Sequence, residues 1–243
     1  ELSKILANIQ FGSKEAMIRF DMSEYQEKQS IFRFIGSPDG NTSGTLTESV
    51  LQKPYSLILL DEFEKAHPDI LNLFLQVFDD GRLTDNLGRV ANFENTIIIA
   101  TSNAHSNFIK EEIEKNTPMA EISENIKKKL TEYFRPELIN RFYGIIVFKS
   151  LSQSDIIEVT KILLKEFVSD LKGSHGIDIN FSDEAIKKIS EWGYDPAFGA
   201  RPLRGVISEK VRGVLAEKIL KNEIDRGSII KVELKGEELE YIV

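Results

Sequence analysis

Residues 57–62 read Leu-Ile-Leu-Leu-Asp-Glu, and Phe-Glu-Lys-Ala-His-Pro follows at positions 63–68. Four consecutive apolar residues predict a short strand buried on both faces, as in the middle of a parallel sheet. The predicted strand ends on two adjacent carboxylates, Asp61 and Glu62. Because ligands of open α/β sheets bind at the carboxyl ends of the strands, these two acids mark a candidate site.

The acidic pair has two interpretations. In P-loop nucleotidases, the first carboxylate of such a pair holds Mg²⁺ and the second orients or activates a water molecule. The alternative is an acidic exit from a strand into a loop, without any chemistry. Residues 96–103 (TIIIATSN) predict a second buried strand that also ends on polar side chains, Ser102 and Asn103. In a parallel sheet, Asn103 would lie beside Asp61 and Glu62 and could position a water.

The composition is that of a soluble globular protein. The chain has 243 residues, of which 41% are hydrophobic and 29% are charged, enough for one large domain or two modest ones. A net charge of −8 argues against a general nucleic-acid binder. The chain has no cysteine, which excludes disulfides and favours the cytoplasm or an organelle matrix or stroma. We see no membrane-spanning run or signal-peptide pattern, so we expect no membrane partner.

The order of the predicted elements indicates an α/β fold for residues 1–150. Helical spacing over residues 1–9 is followed by a predicted strand at 16–21 and an amphipathic helix at 68–78 with Pro68 in its first turn. Residues 145–148 (IIVF) predict a further buried strand. We therefore expect a large subdomain built on a parallel sheet with helices on both faces.

Residues 151–243 predict a smaller, mainly helical subdomain with a few strands. A helix cap at Ser152 or Ser154 marks the boundary. The elements expected after it are a helix at 155–171, a strand at 177–181, a helix at 185–192, a rigid turn at 193–204, a helix at 203–220, and a hairpin of residues 228–234 and 239–243.

Six separated stretches carry a family resemblance. In chain order they are DMSEY (21–25), LILLDEFEKAHPD (57–69), QVFDDGRLTD (76–85), TSN (101–103), FRPELINR (134–141) and GARPLR (199–204). Together they resemble the second nucleotide-binding module of the Clp-type AAA+ unfoldases, which include ClpB-like disaggregases and ClpC-like protease partners. The resemblance extends over the whole chain. It implies ATP and Mg²⁺ as cofactors and an AAA+ large subdomain followed by a Clp-type small subdomain.

The resemblance also implies a role for each site residue. Asp61 would hold the Mg²⁺ shell, and Glu62 would polarise the attacking water. Asn103 would be the sensor at the γ-phosphate. Arg141 would be the arginine finger that reaches the nucleotide of a neighbouring subunit, and Arg201 would be the second sensor, contacting the phosphates from the small subdomain. Guanidinium groups suit such roles because they stay charged and present planar donors. Surface ion pairing is the alternative for both arginines.

The sequence departs from the family pattern at the phosphate-binding loop. No G-x-x-x-x-G-K-[ST] motif is present, although in the family this loop directly precedes the helix that residues 1–9 resemble. We expect a truncated chain that by itself binds ATP weakly or not at all.

Two further loops differ from the family or from some of its members. Residues 36–44 stand where the family has an axial pore loop with an aromatic residue, and here they contain none. Protease-coupled members usually carry a Gly-Phe-containing loop, whereas residues 107–133 contain no glycine. The second difference favours a ClpB-like protein that works without a peptidase.

The resemblance implies an ATP-driven unfolding or disaggregation module that acts in a homo-hexameric ring on unfolded or aggregated polypeptides. A co-chaperone or a Clp-type peptidase would be a further partner, and no nucleic acid is expected. Three alternatives remain open. They are the ATPase subunit of a Clp-type protease, a non-catalytic assembly fragment, and another P-loop ATPase such as a helicase or clamp loader. The acidic pI and the surroundings of Arg201 argue against the last.

Overall fold

The computed structural model describes residues 1–195 and 198–243. The chain divides into two compact units, Glu1–Lys149 and Ser150–Val243. Each unit has its own hydrophobic core. No helix of the described residues combines the length and the apolar character needed to cross a bilayer.

The first unit is built on a three-stranded parallel sheet. Its strand order is β1-β2-β5, with Met17 opposite Leu57 and Ser56 opposite Thr96. The elements are α1 (Leu2–Phe11), β1 (Met17–Asp21), α2 (Ser30–Ile35), α3 (Thr45–Gln52), β2 (Ser56–Asp61), α4 (Pro68–Asp80), β3 (Arg82–Thr84), β4 (Val90–Asn92), β5 (Thr96–Ala100), α5 (Ser106–Glu114), α6 (Met119–Lys129) and α7 (Pro136–Ile139).

The apolar run at residues 57–60 forms the central strand, as its sequence predicts. Leu57, Ile58 and Leu60 in β2 are fully buried. Phe34 packs beside this sheet with its ring centroid 5.2 Å from that of Phe20 and 5.9 Å from that of Phe74. The packed aromatic cluster in the core anchors β2. This packing also fixes the position of the carboxyl end of β2.

The expected strand at residues 145–148 is wrong. These residues form no regular element among those described, and Ile146 and Phe148 are 76% and 69% exposed. A strand needs the backbone groups of a neighbour for its hydrogen bonds. Among the described strands, β5 pairs with β2 alone, and nothing pairs with residues 145–148. An apolar run therefore does not become a strand here.

The second unit has helices and a mixed sheet. Its elements are α8 (Gln153–His175), β6 (Asp178–Phe181), α9 (Asp183–Trp192), α10 (Leu203–Val206), α11 (Val214–Leu220), β7 (Ile229–Lys235) and β8 (Glu238–Ile242). Strand β7 is central, parallel to β6 and antiparallel to β8. Ser152 caps α8 in a reciprocal capping box with Asp155. The prediction of an α/β fold with a mainly helical carboxyl-terminal part that has a few strands is confirmed.

The helix expected at residues 203–220 is present but not uniform. Its middle, Ile207–Gly213, is a π-helix that joins α10 to α11. The local spacing of apolar residues does not distinguish these helix types over such a short segment. The predicted turn at residues 193–204 includes residues 196 and 197, which lie outside the described part of the chain.

Candidate functional site

The carboxyl ends of β1, β2 and β5 form one edge of the parallel sheet. Asp21 and Asp61 stand opposite each other at the ends of β1 and β2. Leu60 stands opposite Ala100, so Thr101 follows β5 at the same edge. The Ser23 hydroxyl and amide donate to Asp21 and lower the pKa of its carboxyl group. The edge therefore carries negative charge at neutral pH.

Asp61 has a partner at each carboxylate oxygen. The Arg19 guanidinium lies 2.5 Å from Oδ2, and the Thr101 hydroxyl donates to Oδ1. The Asp61 side chain is 28% exposed and the Arg19 side chain 56% exposed. The carboxylate is thus oriented and still open to solvent, as a ligand for a bound cation must be.

The described residues contain no group of three or more His, Cys, Asp or Glu side chains that could enclose a metal ion. Mg²⁺ does not need such a group, since it is usually held by one or two carboxylates together with waters and substrate phosphates. Asp61 could serve as that carboxylate, because its oxygens are the hard ligands that Mg²⁺ prefers.

Glu62 has an unusual backbone conformation. Its φ is 55°, in the left-handed region that residues other than glycine seldom adopt. Its amide donates to the Thr101 hydroxyl at 3.3 Å, and the Phe63 amide donates to the Thr101 carbonyl at 2.9 Å. These bonds hold a conformation that costs free energy, which is a feature of functional sites.

Asn103 lies in the loop after β5, beside the residues that follow β2. Its amide donates to Glu64 Oε1 at 3.1 Å, and its side chain is exposed. The loop after β2 and the loop after β5 are therefore joined at Thr101 and again at Asn103. The structure brings Asp61, Glu62 and Asn103 to one place.

The two predicted arginines belong to other parts of the chain. Arg141 follows α7, and its Nε donates to Asp79 near the end of α4. This bond raises the pKa of the guanidinium group, which stays charged. Arg201 is exposed and belongs to the second unit, just before α10. The ion pair of Arg141 fits the alternative interpretation, and the Arg141 side chain is 45% exposed.

Three residues of this site were not among the sequence-based candidates. Thr101 joins Asp61 to Glu62, Arg19 contacts Asp61, and Glu64 holds Asn103. Thr101 opens the TSN stretch and Glu64 lies within LILLDEFEKAHPD, so the motifs contain both. No sequence pattern indicated a role for Arg19, apart from its position two residues before Asp21.

Residues 36–44 form a compact loop. Asp39 accepts hydrogen bonds from Ser37 and Asn41, and these bonds lower the pKa of its carboxyl group. The Asn86 side chain donates to the Gly36 carbonyl at 2.6 Å. The loop is thereby joined to the β3–β4 hairpin, and small polar side chains face solvent where the family has an aromatic residue.

Two family models match the chain. One, described as an AAA domain of the Cdc48 subfamily, matches residues 1–145. The other, described as the C-terminal D2-small domain of ClpB protein, matches residues 151–232. The two matches follow each other along the chain without overlap.

Several curated proteins are similar to nearly the whole chain. Chaperone protein ClpB of Rhodopirellula baltica is 43% identical over 245 residues, covering 99% of this chain and 28% of that protein. ClpB of Aquifex aeolicus is 44% identical over 252 residues, covering 100% and 25%. The ATP-dependent Clp protease ATP-binding subunit ClpE of Bacillus subtilis is 45% identical over 227 residues, covering 91% and 32%. The chain thus spans between a quarter and a third of the length of these relatives.

Proposed function

The chain belongs to the AAA domain family of ATPases, and we propose that it is the ATP-hydrolysing module of a Clp-type chaperone. Its similarity to ClpB and Clp protease subunits supports this assignment. The observation that carries it is the junction at Thr101, where one side chain joins the Asp61 carboxylate to the Glu62 backbone. Such a junction would hold the proposed metal ligand, Asp61, next to the proposed base, Glu62.

In the proposed reaction, Asp61 holds Mg²⁺ and Glu62 orients the attacking water. Asn103 contacts the γ-phosphate from the neighbouring strand end. Phosphoryl transfer depends mainly on positioning and on charge placed around the transferred group. Hydrogen bonds that hold the Asp61 carboxylate and the backbones of Glu62 and Asn103 support that positioning, and no covalent step is needed. Mg²⁺, when bound, neutralises phosphate charge.

We propose that Arg141 and Arg201 complete the site. Arg141 would act on the nucleotide of a neighbouring subunit in a homo-hexamer, and the exposure of its side chain supports this role. Arg201 would reach the phosphates from the small subdomain, which we place at residues 151–243. Hydrolysis could then change both the intersubunit and the interdomain angles, which would move a bound polypeptide. The substrates would be unfolded or aggregated polypeptides.

The partner in this proposal is a co-chaperone and not a peptidase. The absence of glycine from residues 107–133 supports a ClpB-like, peptidase-independent protein. The second candidate function is the ATPase subunit of a Clp-type protease, favoured by the similarity to ClpE. Below, the intact protein means these residues in a version of the chain extended upstream of Glu1. Capture of a Clp-type peptidase by the intact protein would decide for this second function.

We further propose that these 243 residues alone bind ATP weakly, because they contain no G-x-x-x-x-G-K-[ST] motif. Micromolar affinity of this chain for ATP would contradict the proposal. A non-catalytic assembly role would be indicated instead if the intact protein also failed to hydrolyse ATP.

The decisive test replaces Glu62 with Gln in the intact protein. We expect ATP binding, measured with a fluorescent ATP analogue, to be retained, while turnover falls by roughly 10²- to 10⁴-fold because the water loses its base. Phosphate release measures turnover. Glu121→Gln is the matched control, since Glu121 is exposed on α6. Unchanged turnover in the Glu62 variant would refute the proposed function.

A further inference from the structure

We propose that Glu64 is a positioning residue for ATP hydrolysis, which holds the backbone of Asn103 against the loop that carries Glu62. This inference rests on the proposed function. Glu64 would touch neither nucleotide nor water, and it would act through Asn103. The bond between Glu64 and Asn103 would keep the Asn103 side chain, as the sensor, and the Glu62 carboxylate, which orients the water, in a constant relative position.

The bond between Asn103 and Glu64 is separate from the backbone hydrogen bonds that join β2 and β5 at the sheet edge. The Thr101 amide donates to the Leu60 carbonyl at 2.9 Å, as in a continued strand ladder, and the Thr101 carbonyl accepts the last backbone bond, from the Phe63 amide at 2.9 Å. Two residues later the Asn103 amide donates to Glu64 Oε1 at 3.1 Å. Among the described residues, Glu64 is the only one on the β2 side that bonds Asn103. Without it, no hydrogen bond would join the loop after β5 to the β2 side beyond Thr101.

The support beneath Glu64 is rigid. Residues Phe63–Lys65 form one turn of 3-10 helix directly after Glu62. Phe63 is 1% exposed, and its ring centroid lies 5.5 Å from that of Phe74 and 5.4 Å from that of Phe134. Since Glu62 directly precedes this anchored turn and Glu64 lies within it, the backbones of the two residues are held close together.

Glu64 is half-buried, and the burial of one carboxylate oxygen argues against an ordinary surface acid. Its Oε2 is excluded from solvent and has no hydrogen-bond partner in the described part of the chain. No Lys, Arg or His side chain of the described residues forms an ion pair with it. Burying such an oxygen costs free energy. Glu64 retains one contact, the charge-assisted hydrogen bond from the Asn103 amide. Such a bond is stronger than one between neutral groups.

The test compares Glu64→Ala and Glu64→Gln in the intact protein. Alanine removes the acceptor, so the Asn103 loop should shift and kcat should fall by roughly 10- to 100-fold. The ATP dissociation constant should change by less than about threefold, because Glu64 itself contacts neither the nucleotide nor the water. Glutamine keeps an acceptor oxygen at the same place, and its kcat should stay within about threefold of wild type. Circular dichroism and the thermal midpoint check that both variants fold.

Three outcomes would overturn the positioning role. They are a folded Glu64→Ala protein with wild-type kcat, a loss in Glu64→Gln as large as in Glu64→Ala, and a loss that appears entirely in ATP affinity. Glu121→Ala serves as the surface control. Glu62→Gln is measured in parallel: if it too leaves turnover unchanged, the proposed function fails, whereas an effect of Glu62→Gln without one of Glu64→Ala rejects only the role of Glu64.

Discussion

At the scale of single residues, Thr101 has more contacts at the site than either acid. Its hydroxyl donates to Asp61 and accepts from the Glu62 amide, and its carbonyl accepts from Phe63. A hydroxyl can do this because it is both a donor and an acceptor. The left-handed backbone of Glu62 is thus held by a residue 39 positions away in the chain.

The ion pair between Arg141 and Asp79 allows a test of the proposed arginine-finger role of Arg141. Both side chains are 45% exposed, so we expect the bond between them to contribute little to stability. If Arg141 acts in trans, Arg141→Ala should lower the ATPase rate of the intact protein by roughly 10³-fold, and Asp79→Ala should leave it near wild type. Phosphate release and thermal midpoints measure the two effects. If both variants change the ATPase rate only slightly and by similar amounts, the interpretation of Arg141 as a member of a surface ion pair is supported.

At the scale of elements, the β3–β4 hairpin depends on an ionic network. Its strands have only three residues each, too few to be stable alone. Asp85 is 5% exposed and accepts hydrogen bonds from the Arg89 and Leu87 amides and from the Arg89 side chain. Arg89 also donates to Glu48 on α3 at 2.7 Å. The network joins the hairpin to the rest of the unit.

Burial works to raise the pKa of the Asp85 carboxyl group, but the hydrogen bonds from Arg89 and Leu87 outweigh it and the pKa is lowered. A lowered folded-state pKa means that the charged group stabilises the fold above its unfolded pKa, about 3.9, and that this contribution is lost as the pH falls through the folded value. Asp85→Asn should therefore lower the free energy of unfolding by about 2 kcal/mol at pH 7.

Urea unfolding of the wild type and Asp85→Asn measures this difference. We expect it to be constant from pH 7 down to about pH 4 and to shrink below that pH. A difference that grows on acidification would contradict the lowered pKa. Asp80→Asn is a control on the same unit, since Asp80 is an exposed residue at the end of α4.

At the scale of the whole molecule, each unit has the parts of a separate domain. The second unit has its own core, centred on Ile189, Val211 and Ile230, and its own three-stranded sheet. Its first helix begins with a complete capping box at Ser152. Local caps and a closed core are what an independently folding domain requires.

We therefore expect residues 150–243 to fold alone. The single tryptophan of the chain, Trp192, packs against the core of this unit, so its fluorescence reports on the folding of this unit. The isolated fragment should unfold cooperatively in urea, with a fluorescence midpoint within about 0.5 M of that of the whole chain. Far-UV circular dichroism should show helix content before the transition. A broad, non-cooperative fluorescence change would refute independent folding.

The sequence by itself determined the central strand, the Pro68 helix, the terminal hairpin and the family, because apolar spacing, caps and motifs depend on residues close together in the chain. Tertiary structure decided which side chains meet. Arg19 with Asp61, Thr101 with Glu62, and Glu64 with Asn103 are brought together by the register of strands far apart in sequence. It also decided that residues 145–148 form no strand, since an apolar run needs a partner whose backbone it can bond.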